Sequence, residues 1–157
     1  MSSGTNAVPW LLLSLLSILT IIIGVMGSVG VFTIDYISDY LTKLLPDVQL
    51  YFSRLFLIQS ITLFLAGVFL HWIAIMKLAS RQSPVLLMLG FSLAVINLGL
   101  QLYMIALNGF NWIGREFFHG QPVAEHSLFS YSGISLLLLA LILTGISGMI
   151  LFEKRGS

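Results

Sequence analysis

Long apolar stretches dominate the chain, and the few polar residues inside them recur at helical spacing. The clearest case is Pro84–Asn108, PVLLMLGFSLAVINLGLQLYMIALN. At ~100° per residue, Gly90, Ala94, Asn97, Gln101 and Asn108 fall within an arc of about 60°, while Ser92, Gly99 and Ala106 form a small-residue line on the opposite side. Both faces of this helix are suited to close neighbours. Uncharged runs over 10–32, 55–76, 85–107 and about 129–152 are each long enough to cross a bilayer, which takes about 20 helical residues. The pattern predicts an all-α membrane protein, with four transmembrane helices in one bundle and a single domain over 1–157. The Ser and Gly residues of Tyr131–Ser135 make the first turn of the last span the least defined boundary. The first run has no Lys or Arg before it and no small-x-small cleavage site, so it reads as a retained helix rather than a signal peptide.

The connections carry patterns of their own. After the first span, Ile34, Ile37, Leu41, Leu44, Leu45 and Val48 share one helical face, Asp35, Asp39 and Lys43 point away, and Pro46 follows. This predicts an amphipathic interfacial helix over about 34–45, with Tyr36, Tyr40, Tyr51 and Phe52 at headgroup level. After the third span, Trp112, Phe117 and Phe118 read as interfacial belt anchors, and Gly120-Gln121-Pro122 breaks any helix.

The short connection Lys77–Ser83 makes the second and third spans an antiparallel hairpin. Depth matching then places Gly67 opposite Ala94, His71 opposite Gly90, Phe64 opposite Asn97 and Ser60 opposite Gln101. Ser60, Gly67, His71 and Ala74 share one face of the second helix, while Gln59 lies on another. Small residues at four-residue intervals also mark the outer helices, Thr20, Gly24 and Ser28 in the first and Ala140, Thr144 and Gly148 in the last. Such spacing lets backbones approach closely in lipid. One of these lines is expected to meet Ser92–Gly99–Ala106, leaving the other for a partner chain.

Composition agrees with the pattern: 58% of residues are hydrophobic, 8% are charged, and mean hydropathy is +1.03. The net charge of +1 provides no field for nucleic acid. The absence of cysteine removes disulfide, thiolate, iron–sulfur and Cys-ligated zinc chemistry. An even number of spans puts both termini on one side with Lys77, Arg81, Lys154 and Arg155 against Glu153. The other side holds Lys43, Arg54 and Arg115 against Asp35, Asp39, Asp47, Glu116 and Glu125. The Lys/Arg bias places both termini in the cytoplasm, with the protein in a cytoplasmic or inner membrane.

Candidate chemistry is sparse. His71 is the one ionisable side chain well inside a span, and with Trp72, Asn97 and Gln101 it forms the candidate cofactor-binding set. A haem, a quinone or a pigment would suit these groups, although nothing in the sequence requires one. Two histidines on a single haem would have to share a depth, and His119 and His126 lie in the connection on the opposite side. Glu116 and His119 form half of a di-iron signature without its partners, so Glu116, His119 and His126 are at most a surface metal set. No Asp, Glu, Lys or Arg interrupts the spans, which removes the usual parts of a proton relay or a proton-coupled exporter. No phosphate loop, Ser-His-Asp arrangement or zincin motif occurs, so no enzyme activity is expected. The sequence points to a small accessory subunit of a larger integral membrane complex, with an energy-transducing complex as one setting, packed against partner subunits and lipid. The alternatives are a haem, quinone or pigment module using His71, and an oligomeric small channel or transporter.

Overall fold

A computed structural model describes residues 7–44, 46, 54–79 and 83–153, apart from the side chain of Asp35. Among these residues the chain is helical, in the order α1 (Val8–Leu44), α2 (Arg54–Leu78), α3 (Pro84–Asn108), α4 (Trp112–Phe117), a 3-10 turn (Pro122–Glu125) and α5 (Ser127–Glu153). Four segments are long and apolar enough to cross a membrane: Val8–Ile34, Arg54–Leu78, Pro84–Asn108 and Ser127–Glu153, with hydropathies of 2.4, 1.9, 2.1 and 2.5. They enclose the four predicted runs. At most 39% of any of these apolar windows is buried, so most of their Leu, Ile and Val side chains face outward. That surface fits a hydrocarbon solvent, in which helices satisfy their own backbone groups.

The helix ends follow local chemistry. Proline begins α3, where its missing N–H would have no helical partner, and Gly109 ends it at φ 71° with its N–H donating to the Ile105 carbonyl at 2.7 Å. Several hydroxyls inside the helices bond their own backbone: Ser17 donates to Leu13 O, Ser28 to Gly24 O and Ser147 to Leu143 O. This satisfies them without a partner helix.

The stretch after the first span differs from the expected in-plane helix. It is helical, but it continues α1 without a break, so that 37 residues form one helix of about 55 Å. Nothing between Phe32 and Leu44 can stop a helix, and the first breaker is Pro46. Its apolar residues are not covered, with Leu44 77% and Tyr36 80% exposed. Leu45, Asp47, Val48, Tyr51 and Phe52 of the predicted pattern lie outside the described residues, as do Arg81, Lys154 and Arg155 of the charge comparison and the side chain of Asp35.

Neighbouring helices meet in a ring: α1 on α2, α2 on α3, α3 on α5, and α5 back on α1. Leu13, Ala66, Leu70, Leu87, Ala94 and Leu143 meet in its core. The hairpin keeps the expected depth register but not the expected faces. Leu70, not His71, fills the notch at Gly90, where an added Cβ would lie 2.7 Å from the Leu70 side chain. Gly67 does not face Ala94. A Cβ there would lie 2.9 Å from the Ser17 carbonyl and from the Ile21 side chain, both on α1. Ser60 likewise meets Gly27 of α1 rather than Gln101.

The small face of α2 therefore seats α1, and α2 turns its bulkier adjacent face to α3. The Ser92–Gly99–Ala106 line meets neither outer helix, since all three residues are exposed and an added Cβ at Gly99 has nothing within 4 Å. The absence of native cysteine makes this register directly testable. With Gly27→Cys and Ser60→Cys, a disulfide is expected on mild oxidation, because the Gly27 Cβ position lies 3.1 Å from Ser60 Cβ, close to the usual spacing of about 3.5–4.5 Å. Ser60→Cys with Gln101→Cys should stay reduced on a non-reducing gel. Cross-linking of that second pair instead would restore the face assignment read from the sequence.

Candidate functional site

The four candidate cofactor residues divide between two places. Asn97 and Gln101, one helical turn apart on α3, are fully buried. The Asn97 amide donates to the Gln59 carbonyl at 2.9 Å and to the Thr62 hydroxyl at 3.1 Å, and Gln101 donates to the Asn97 side-chain oxygen at 2.9 Å. The Thr62 hydroxyl in turn donates to the same Gln59 carbonyl at 2.9 Å. This chain of donors ties α3 to α2 in a region where an unmatched amide is costly. It is incomplete, because the Gln101 side-chain oxygen is buried without a partner among the described residues.

The gap in that chain gives an unequal expectation for two similar substitutions. Gln101→Leu removes one bond together with an unpaired acceptor, so its effect on unfolding free energy should stay within about 0.5 kcal/mol. Asn97→Leu strands the Gln101 amide as well and should cost about 2 kcal/mol. The double variant should be more stable than Asn97→Leu alone, which a double-mutant cycle in mixed micelles would read out. Additive losses would mean that the two amides act independently.

His71 and Trp72 lie elsewhere. From Gln59 to His71 is twelve residues along α2, or about 18 Å at 1.5 Å per residue. The His71 Nδ1 lies 3.2 Å from the Ser14 hydroxyl of α1, which ties the imidazole into the α1–α2 seam. Beside it runs an apolar groove of about 440 Å³ lined by Ile21, Val68, His71, Trp72, Ile75 and Met76. Trp72 is more than half exposed on this surface. The four residues thus do not form one pocket. Ser14 is the partner that the sequence reading missed. No depth count singles it out, since the Gly27–Ser60 and Gly67–Ile21 contacts set His71 level with Leu16 and Ser17, up to a helical turn from Ser14.

The connection between α3 and α5 folds into a cap. Trp112 is fully buried, which corrects its reading as a belt anchor. Phe56 of α2 reaches both Trp112, at 5.9 Å between ring centroids, and Phe117, at 4.8 Å edge to face. Gly133 and Gly114 make room: a Cβ on Gly133 would overlap the Phe110 carbonyl, and one on Gly114 would overlap Ala124 O and the Phe129 ring.

Polar contacts hold the cap's rim. Asn108 donates to Glu116 at 3.2 Å, Arg115 and Asn111 donate to the two oxygens of Glu125 at 2.9 and 3.1 Å, and Ser130 bonds the Asn111 side-chain oxygen. Hydrogen bonds from Arg115, then from Asn111, hold the Glu125 carboxyl below its ordinary range. The rim ion pair is therefore kept at neutral pH and lost only under acid conditions, and being exposed it adds little to stability. Glu116, His119 and His126 are not drawn into a metal centre. Among the described residues no three His, Cys, Asp or Glu side chains gather closely enough to hold an ion. Instead Glu116 takes the Asn108 amide, and His126 Nδ1 accepts the Leu128 N–H at 3.3 Å.

Comparison with protein-family models, with curated proteins and with solved structures finds no match to this chain.

Proposed function

We propose that this chain is a structural subunit of a larger integral membrane assembly, a single four-helix bundle that packs against partner subunits and lipid. The observation that carries this reading is the use made of its polar groups. Inside the spanning segments, Asn97 and Thr62 join α3 to α2 with Gln101 bonding Asn97 from its own helix, and Ser14 and His71 join α1 to α2. Interhelical hydrogen bonds of this kind hold membrane helices where the hydrophobic effect cannot. The exposed line Ser92, Gly99 and Ala106 on α3 supports the same reading, since it offers a smooth face on which a further helix can approach. The Lys/Arg bias puts both termini at the cytoplasmic face of an inner or cytoplasmic-type membrane.

Purification of the tagged chain from its native membrane in a mild detergent should bring a stoichiometric membrane partner with it. Gly99→Leu should weaken that association while leaving the subunit's own melting temperature unchanged. A lone monomer that reconstitutes with unaltered stability would overturn the proposal.

A second reading is favoured by the groove at His71 and Trp72, which would hold a lipophilic cofactor against one imidazole. It predicts a visible absorbance band in the purified protein that His71→Ala abolishes. A colourless protein would leave the structural reading standing alone.

A further inference from the structure

A second cavity, distinct from the His71 groove and from the α2–α3 seam, lies where α1, α2 and α5 converge. It has a volume of about 310 Å³ and is lined by Ile23 and Met26 of α1, Phe56, Gln59 and Ser60 of α2, and Leu136 of α5. That volume lies at the lower end of the range for small-molecule sites, about 300–1,000 Å³. The residues that line it are apolar apart from Gln59 and Ser60.

Gln59 is the anomaly. The residue is 4% exposed, and its side-chain oxygen is buried with no hydrogen-bond partner among the described residues. Its backbone carbonyl is what Asn97 and Thr62 use, so the carboxamide contributes nothing to the α2–α3 seam. A buried amide oxygen left unpaired costs about 1–3 kcal/mol, and here leucine would fill the same space without that cost. An amide at this position is accounted for by a ligand that pairs with it. The terminal torsion of glutamine is broad, so the oxygen turns toward the cavity with little strain.

We propose that this cavity binds a lipophilic hydroxyl compound, an apolar body bearing one alcohol or phenol group. The hydroxyl donates to the Gln59 oxygen, and the apolar body rests on Ile23, Phe56 and Leu136. Two features select this class. A hydroxyl both donates and accepts, matching a carboxamide, whereas among the described residues no charged side chain lines the cavity to pair with an ionic group. Gln59 also lies five residues from Arg54, about 7–8 Å along α2, so the hydroxyl sits just inside the membrane edge while the apolar body points into the hydrocarbon. Access is lateral, past Met26, which is 68% exposed at the cavity mouth. The site is independent of the structural role proposed above, because the side chains that tie α3 to α2, those of Asn97, Gln101 and Thr62, do not line it, and Gln59 serves that tie only through its backbone carbonyl.

The test uses 4-propylphenol and its methyl ether, which differ only in the donor. Binding to the full chain in micelles is followed through the methyl resonances of methionine, with Met26 reporting on this cavity and Met76 on the His71 groove. The phenol should bind at least tenfold more tightly than the ether and should shift Met26 but not Met76. Gln59→Leu should bring the two affinities within about twofold. Leu136→Phe, which narrows the cavity and leaves the amide in place, should weaken both compounds. Circular dichroism and the unchanged Met76 resonance report that each variant is folded. Equal affinity for phenol and ether, retention of the tenfold preference in Gln59→Leu, or a shift at Met76 in place of Met26 would each overturn the proposal.

Discussion

Replacing Gly24 by alanine is expected to be enough to disturb the α1–α2 contact, and leucine there should separate the two helices. A Cβ at Gly24 would lie 2.6 Å from the Phe64 backbone nitrogen and 2.8 Å from its Cα, positions that no side-chain rotation can vacate. The helices must move apart, and in lipid the association that is lost rests on van der Waals contact, which falls off within a fraction of an ångström. Overpacking of this sort costs about 1–3 kcal/mol where side chains can adjust, so a backbone clash should reach or exceed the upper end. Unfolding of purified protein in mixed micelles gives the free energy. Proximity of α1 to α2 can be followed separately through the disulfide of Gly27→Cys with Ser60→Cys, which Gly24→Leu should suppress. The control is Gly99→Ala, at a position where an added Cβ meets nothing within 4 Å, and it should be neutral. Equal tolerance of Gly24→Leu and Gly99→Ala would show that α1 and α2 are not in close backbone contact.

The same seam explains what was legible in the sequence and what was not. Length and hydropathy place the four spanning segments, because a hydrocarbon slab imposes about 20 residues on any helix that crosses it, whatever its neighbours. The depth register of the α2–α3 hairpin was also accessible, since the short connection leaves little slack: Leu70 meets Gly90, and Thr62 meets Asn97. Azimuth was not. In a soluble helix the polar face marks the outside and so fixes the rotation, but in lipid both faces of α2 are apolar. A small-residue face then marks close contact without naming the partner. Ser60, Gly67 and His71 were correctly read as a packing face, yet α1 and α3 were equally available to fill it, and α1, with Gly24 and Gly27, fits it more closely.

Asn97 is legible as an interhelical tie for a different reason, since an amide in hydrocarbon must find a partner inside the protein, whereas Gln101 bonds Asn97 on its own helix. Which partner the amide finds depends on rotation again, and Asn97 chooses a backbone carbonyl, Gln59 O, that no residue pattern can signal. The break expected after the first span failed because amphipathicity does not itself end a helix. Without a breaker before Pro46, the backbone of α1 had no reason to turn at Phe32.

Trp112→Ala is expected to have the largest effect of any single truncation in the chain, about 3–5 kcal/mol of unfolding free energy. The indole is fully buried although it lies on α4, beyond the ends of the spanning segments, so the competing environment for it is the aqueous interface and not the bilayer interior. Two helix ends depend on it. Phe56 at the start of α2 packs against its ring, and Gly133 near the start of α5 is bare where the indole nitrogen passes, with an added Cβ lying 3.3 Å from it. Removing the ring opens a void between α2, α4 and α5 that these rigid helix ends cannot close. The indole N–H has no hydrogen-bond partner among the described residues, so Trp112→Phe loses ring area but also removes an unpaired donor, and it should recover more than half of the loss. Trp72→Ala is the matched control, because that tryptophan is 58% exposed and should change stability by no more than about 0.5 kcal/mol. Hydrogen exchange sharpens the comparison: in Trp112→Ala the amides of α4 and of the Pro122–Glu125 turn should lose protection before those of α3, since the cap is held chiefly by this ring and the exposed Arg115–Glu125 pair adds little. Similar losses from Trp72→Ala and Trp112→Ala would place the two rings in equivalent surroundings and return Trp112 to the membrane interface.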